Sequence, residues 1–172
     1  MTTAGSPELV IRRATLADWP VMWPIWHAVV AAGDTYSYDP ATGYDEARAM
    51  WLESPRMQTW LGEIDRRVVG FYEISPNHGG PAGHVANASY MVDEAARGRG
   101  VGRALVLHSL RAAKAAGFTA IQFNAVAETN VGAIGLYEWL GFSTVGIVPR
   151  AFRHPAQGLV GLRIMHRFLD DQ

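Results

Sequence analysis

Three glycines and three arginines fall within residues 96–105, ARGRGVGRAL, where the chain stops alternating like a strand and starts repeating like a helix. No other stretch restricts the fold as tightly. HVANASYMVD before it reads as a strand. From Gly100 to Ala116 the apolar positions Val101, Ala104, Leu105 and Ala112 keep helical spacing, with Gly117 placed as a C-terminal cap. A strand that feeds a helix through such a turn gathers unpaired backbone N–H groups around a concavity, and glycine lets an anion approach that backbone closely. The guest such a turn prefers is a phosphate.

The segments around the turn extend the pattern. ELVIRRAT (8–15) predicts a first strand, and Asp18 is placed to cap a helix whose Trp19, Trp23 and Trp26 follow at i, i+4 and i+7 as a core stripe. GDTYSYDPATGY reads as a loop and DEARAMWL as a helix; TWLGEID and VVGFYEIS flank the polar turn Asp65-Arg66-Arg67 as a hairpin. After the glycine-rich helix come a strand in FTAIQFNAV, a helix in NVGAIGLYEWL stopped by Gly141, and strands in FSTVGIV and GLVGLRIMHRF. The predicted class is α/β, with a mixed, partly parallel central sheet of six to seven strands flanked by helices. With 172 residues, 49% of them hydrophobic, the chain is expected to bury one core as a single domain over 1–172.

Composition excludes several functions. A net charge of -1 gives no reason to expect a nucleic-acid or membrane partner, and the lone Lys114 among fourteen arginines reflects a bias spread over the whole chain. The cysteine count of zero rules out disulfides, thiolate metal sites and a cysteine acyl-enzyme. MTTAGSPELV lacks a basic segment followed by an apolar core, so no leader is expected, and a cytoplasmic location fits. WPVMWPIWHAVVAA holds two prolines and a histidine and falls short of the roughly 20 residues of a membrane span. The six histidines show no metal spacing, so no metal is expected.

Three phosphate-bearing ligand classes compete for the turn. The GxxxxGK[ST] loop of nucleotide hydrolases is absent, and GxGxxG fails because Arg103 stands in place of the third glycine. What remains is RxxGxG, as Arg97, Gly100 and Gly102. This pattern resembles the pyrophosphate-binding segment of the GNAT superfamily of acyl-CoA-dependent acetyltransferases. Val92 sits five residues before Arg97 as in that family's central motif, and NVGAIGLYEWLGF resembles its second motif through Asn130, Ala133, Tyr137 and Gly141-Phe142. One anion contact at a helix N-terminus contributes roughly 0.3 to 1 kcal/mol, whereas micromolar binding needs about 8 kcal/mol, so the turn alone does not hold a cofactor. The resemblance implies acetyl-CoA as cosubstrate, its pantetheine arm lying along the strand that ends in Met91 and Val92. Arg97, Gly98, Arg99, Gly100, Val101, Gly102 and Arg103 would surround its phosphates, and Asn130, Ala133 and Tyr137 would complete the cofactor site.

Acyl transfer to an amine needs a neutral nitrogen, a stabilised oxyanion and a proton for the leaving thiolate. The resemblance implies Tyr137 as general acid. Many relatives carry a glutamate on the central strands, but HVANASYMV has no carboxylate, and Glu73 on the preceding strand is the nearest substitute. Without a strong base, an amine of low pKa is favoured; peptide α-amines lie near 8 and lysine near 10.4. FNAVAETNVGA and HVANASYMV further resemble fungal acetyltransferases that act on proline analogues such as azetidine-2-carboxylate. In those enzymes, asparagines matching Asn87 and Asn124 contact substrate and polarise the reacting groups, and one matching Asn130 touches the pantetheine. Tyr36 and Tyr38 lie on a loop where family acceptor sites form, and Arg150, Arg153 and His154 either meet an acceptor carboxylate or form a solvated hairpin. The expected partner is a small-molecule amine, such as an amino or imino acid or a toxic analogue. With GxSxG and cysteine both absent, transfer is expected to be direct. A silent acyl-CoA sensor and a protein N-acetyltransferase stay open as alternatives. Family members often pair through sheet edges, which makes a homodimer an expectation, with GLVGLRIMHRF as one candidate edge.

Overall fold

Strand β4 (Val85–Val92) and strand β5 (Ala120–Ala127) are parallel neighbours at the centre of a seven-stranded sheet, yet they pair only at Val85↔Ala120 and Ala86↔Ile121. Beyond those residues they part, and the wedge between them organises the molecule. The computed structural model describes residues 8–169; the segment MTTAGSP, on which the expectation about a leader rests, lies outside the described residues. The remaining strands are β1 (Val10–Arg13), β2 (Gln58–Ile64), β3 (Arg67–Pro76), β6 (Ser143–His154) and β7 (Gly158–Phe168). The order across the sheet is β1-β2-β3-β4-β5-β7-β6, and every pair except β4–β5 is antiparallel.

The wedge has a backbone cause. Between Phe123 and Val126, β5 carries one residue more than β7 opposite it, and such a bulge bends the strand that holds it. On the other side, β4 is held tightly by β3. Gly70 of β3 pairs with Val92, and a Cβ there would lie 2.8 Å from the Met91 carbonyl, so only glycine permits this approach. The β2–β3 hairpin closes through Asp65 and Arg66, both at positive φ (51° and 64°), a two-residue turn whose twist matches the strands.

Helices cover both faces. α1 (Trp19–Ala32) and α2 (Tyr44–Arg48), the latter running into a π turn, Ala49–Glu53, pack on one side. There Trp19, Met22, Trp26 and Trp51 bury against Leu61, Phe71 and Met91. α3 (Val101–Ala115) and α4 (Val131–Trp139) cover the other side through Leu105, Val106, Leu110 and Ile134. The buried stripe of α3 is centred on Leu105, Val106, Ser109, Leu110 and Ala113; Ala104 and Ala112 only flank it, because a residue's two core-facing neighbours lie three and four positions on. Both helices end as expected, at Gly117 (φ 88°) and Gly141 (φ 84°), with Phe118 and Phe142 donating back to the carbonyls of Ala113 and Tyr137.

Two expectations change. Asp18 does not cap α1 with its side chain: a short 3-10 turn, Leu16–Asp18, precedes the helix, and Asp18 accepts instead from the Thr15 N–H at 2.8 Å and from Arg12 at 2.7 Å. GLVGLRIMHRF is not a sheet edge, since β7 lies between β5 and β6. The edge on that side is β6, which reaches His154 through an irregular stretch at Arg150 (φ 53°), well past the expected FSTVGIV. No helix of the described residues is long and apolar enough to cross a membrane.

Candidate active site

A cavity of about 780 Å³ fills the wedge between β4 and β5. On its β4 wall stand Asn87, Met91 and Val92. The turn that follows contributes Arg97, Gly98, Gly100, Val101, Gly102 and Arg103, and Arg99 alone of the seven expected turn residues does not line the cavity. Gly98 and Gly100 both adopt left-handed φ (73° and 78°), which folds the backbone into a concave turn. The first closing bond of α3 runs from the Ala104 N–H to the Gly100 carbonyl, so the N–H groups of Val101, Gly102 and Arg103 have no acceptor within the helix.

The opposite wall comes from β5 and α4. Asn124, Asn130, Ala133 and Tyr137 all line it. Asn130 also caps α4, its Oδ1 accepting from the Ala133 N–H at 3.3 Å. Asn124 accepts from Gln122 at 2.9 Å and donates to Asn77 at 2.6 Å, which fixes the direction of its amide. Tyr137 packs on Phe123, with ring centroids 4.4 Å apart, and burial pushes its phenol well above the usual tyrosine range. It therefore carries its proton at neutral pH.

The loop after α1 closes the third side. Tyr36 and Tyr38 stack with centroids 5.7 Å apart. The Tyr36 hydroxyl reaches into the wedge, accepting from the Tyr90 N–H at 2.9 Å and donating to the Tyr90 carbonyl at 2.5 Å. It thus satisfies peptide groups of β4 that β5, having turned away, leaves without a strand partner. Tyr38 is pushed up to about 12, first by burial and then by the nearby charge of Glu73.

Glu73 departs from the expected placement. It is 3% exposed and lies behind the cavity wall rather than on it, opposite Ser89 in the β3–β4 register. Burial pushes its carboxyl up to about 7, against the pull of hydrogen bonds from the Ser89 and Ser75 hydroxyls. Of the three hairpin candidates only His154 lines the cavity; Arg150 faces a separate, shallower groove with Glu128 and Gln157.

Sequence reasoning missed several wall residues. Thr129 lines the cavity with a buried Oγ1 that has no hydrogen-bond partner, an orphan that a polar ligand would satisfy. The partner of Arg103 was missed as well: its guanidinium lies over the Trp139 ring at 4.2 Å and so ties α3 to α4. Ser89 also lines the cavity, two residues from Asn87 in HVANASYMV, where a serine carries no mark of function of its own. Among the described residues, no three His, Asp or Glu side chains come together as a metal site would require.

The arrangement offers unpaired N–H groups for an anion at one end, an extended backbone along the middle, and a phenol with uncharged amides where the walls meet. Comparison with known proteins agrees with that chemistry. The model of the acetyltransferase (GNAT) family matches residues 23–142. A GCN5-related N-acetyltransferase from Kribbella flavida shares the fold at a TM-score of 0.89 and 48% identity, over 93% of this chain and 97% of that one. A Salmonella typhimurium protein solved with its cofactor acetyl-CoA superposes at a TM-score of 0.85 and 21% identity, over 96% of each chain. The N-acetyltransferase aca1 of Schizosaccharomyces pombe is 36% identical over 139 residues, 72% of this chain, and the chain spans 66% of that relative's length.

Proposed function

The chain belongs to the acetyltransferase (GNAT) family, and from that premise we propose that it moves the acetyl group of acetyl-CoA directly onto the amine of a small molecule, an amino or imino acid or a toxic analogue of one. One observation carries this reading: a single cavity brings the anion-binding turn, the protonated Tyr137 and the uncharged pair Asn87 and Asn124 together.

The residues fit the cofactor. Val101, Gly102 and Arg103 offer N–H groups and Arg97 a cation for its phosphates, Val92 and Met91 offer an extended backbone for its amide arm, and Thr129 has an unused hydroxyl. Bound there, it supplies an acyl thioester. Asn87 and Asn124 orient the amine and polarise the acyl carbonyl without adding charge. The nitrogen bonds to the acyl carbon, the C–S bond breaks, and Tyr137 gives its proton to the departing sulfur. Tyr36, Tyr38 and His154 bound the acceptor end, which suits a small molecule better than a folded protein surface. The resemblance of the asparagine set to that of the fungal proline-analogue enzymes supports the same substrate class.

Thiol release from acetyl-CoA tests this against proline analogues, amino acids, polyamines and lysine peptides, with no protein cysteine to add background. Rapid release with a cyclic imino or small amino acid is expected. Release only with peptides would replace the small-molecule reading with a protein acetyltransferase. Coenzyme A binding with silence across the whole panel would leave a sensor.

A further inference from the structure

A fully buried carboxylate behind an acceptor site calls for a reason. Burying a charge is costly unless it is paired or hydrogen-bonded, and Glu73 sits in β3 among Phe71, Leu61 and Met91 with two hydroxyls as partners. Ser75 Oγ donates to Glu73 Oε2 at 3.2 Å. The other partner is Ser89, directly across the β3–β4 ladder. Of these two hydroxyls only Ser89 lines the cavity, between Asn87 and Met91 on the same face of β4.

Resting on the acyl-transfer reading, we propose that the Ser89 hydroxyl relays the proton of the acceptor ammonium to Glu73, which makes Ser89 a catalytic residue and Glu73 the base acting through it. The alternatives on the wall do not serve. An asparagine amide has no proton to pass on and accept in one movement. The Tyr36 hydroxyl is committed to both peptide groups of Tyr90. Glu73 itself has no face on the cavity.

In the relay, one N–H bond of the ammonium breaks as Ser89 Oγ takes the proton, and the Oγ–H bond breaks as the Glu73 carboxylate takes the hydroxyl proton. Ser89 ends as it began. Glu73 ends as a carboxylic acid and loses its proton to water before the next turnover. The nitrogen keeps the electron pair with which it bonds to the acyl carbon. As the C–S bond breaks, the sulfur takes its proton from Tyr137, and the second nitrogen proton restores the Tyr137 phenol. The overall products are the amide, the thiol and one released proton. The acceptor amine therefore does not need to be neutral in solution, which admits ordinary ammonium substrates to the site.

The titratable groups around Glu73 are Tyr36 and Tyr38 from the loop after α1 and Tyr90 in β4, and burial keeps all three protonated through neutral pH. Its β2 neighbour in the ladder, Thr59, does not titrate. Glu73 is thus the group among them that changes charge near neutrality.

The test compares kcat/KM against pH for the wild type, Ser89→Ala, Ser89→Thr and Glu73→Gln, using the best small amine from the acceptor panel and calorimetric coenzyme A binding alongside. General acid–base assistance contributes about 100-fold or more, so Ser89→Ala and Glu73→Gln are expected to lose about that factor. Both also lose the limb near neutral pH, while coenzyme A binding stays unchanged. Ser89→Thr, which keeps the hydroxyl, retains the limb. A proton inventory in mixed H₂O and D₂O is expected to be bowed for the wild type and linear for Ser89→Ala. A Ser89→Ala enzyme with the wild-type rate and profile overturns the relay and leaves acyl transfer standing. Should that variant fail to fold, a Glu73→Gln enzyme with the neutral limb intact overturns the relay equally. A wild type that acylates no amine on the panel overturns the parent reading.

Discussion

Glu73 illustrates how one residue sets function against stability. Its folded carboxyl, pushed up to about 7 by burial, lies above its unfolded value, so the native state binds the extra proton. The stability that Glu73 contributes is therefore fully present below about pH 4.5 and is lost as pH rises to about 7, about 3 kcal/mol at about 1.4 kcal/mol per pH unit. Glu73→Gln keeps the shape without the charge, and the Ser75 and Ser89 hydroxyls can turn to meet the amide. Thermal melts are expected to show the variant more stable than the wild type at pH 8, by up to about 3 kcal/mol, and equal to it near pH 4.5. Equal stability at both pH values would show that Glu73 is not shifted. Tyr137 separates binding from chemistry. Tyr137→Phe is expected to lower kcat by about 100-fold with coenzyme A affinity unchanged, which single-turnover kinetics and calorimetry can read independently.

At the scale of the element, two local devices hold the working parts in place. The entry to α1 is fixed by Arg12, which bridges Asp18 at 2.7 Å and Glu63 at 2.8 Å and so ties the helix to β1 and β2. Its guanidinium, with help from the Thr15 N–H and hydroxyl, holds the Asp18 carboxyl down to about 2. Because the folded value lies below the unfolded one, this stabilisation is present above about pH 4 and lost as pH falls through 2. Asp18→Asn is expected to cost about 1–2 kcal/mol at pH 7, and the difference from the wild type should vanish in melts near pH 2. The entry to α3 depends on Gly100, whose φ of 78° puts it in the left-handed region with open space around its Cβ position. Gly100→Ala meets strain rather than a clash, about 1–2 kcal/mol. The expected outcome is a lower melting temperature together with weaker coenzyme A binding, because the same φ aims the N–H groups of the turn.

For the whole molecule, the wedge couples the two halves of the sheet to the ligand. β4 belongs to the β1–β4 half and β5 to the β5–β7–β6 half, and the two meet through only two parallel pairs. A ligand that bridges the wedge joins both halves and stabilises the folded state by mass action. Coenzyme A at about 100 times its Kd should add about 2.7 kcal/mol, which for a chain of this size is a rise of about 5–11 °C in melting temperature. Melts with and without coenzyme A check this, and no shift at saturating ligand would remove the cavity as its site.

The elements and the glycine turn were legible in the sequence because they rest on local chemistry: strand alternation, helical spacing, and the left-handed conformations that glycine adopts at Gly98, Gly100, Gly117 and Gly141. The motif residues came with them, since each lies within a few positions of the turn or of the cap at Asn130. Other features were decided only by tertiary structure. Which strand forms the edge depends on β7 inserting between β5 and β6, a long-range pairing that no local pattern encodes. Asp18 turned from cap to ion-pair partner because Arg12, reaching over from β1, takes it and Glu63 of β2 as its two carboxylate partners. In the sequence Glu73 was the nearest substitute for a base, on a strand with nothing local to mark its surroundings. Only the β3–β4 register placed it beside Ser89, where burial, which depends on the packed fold, raised its proton affinity.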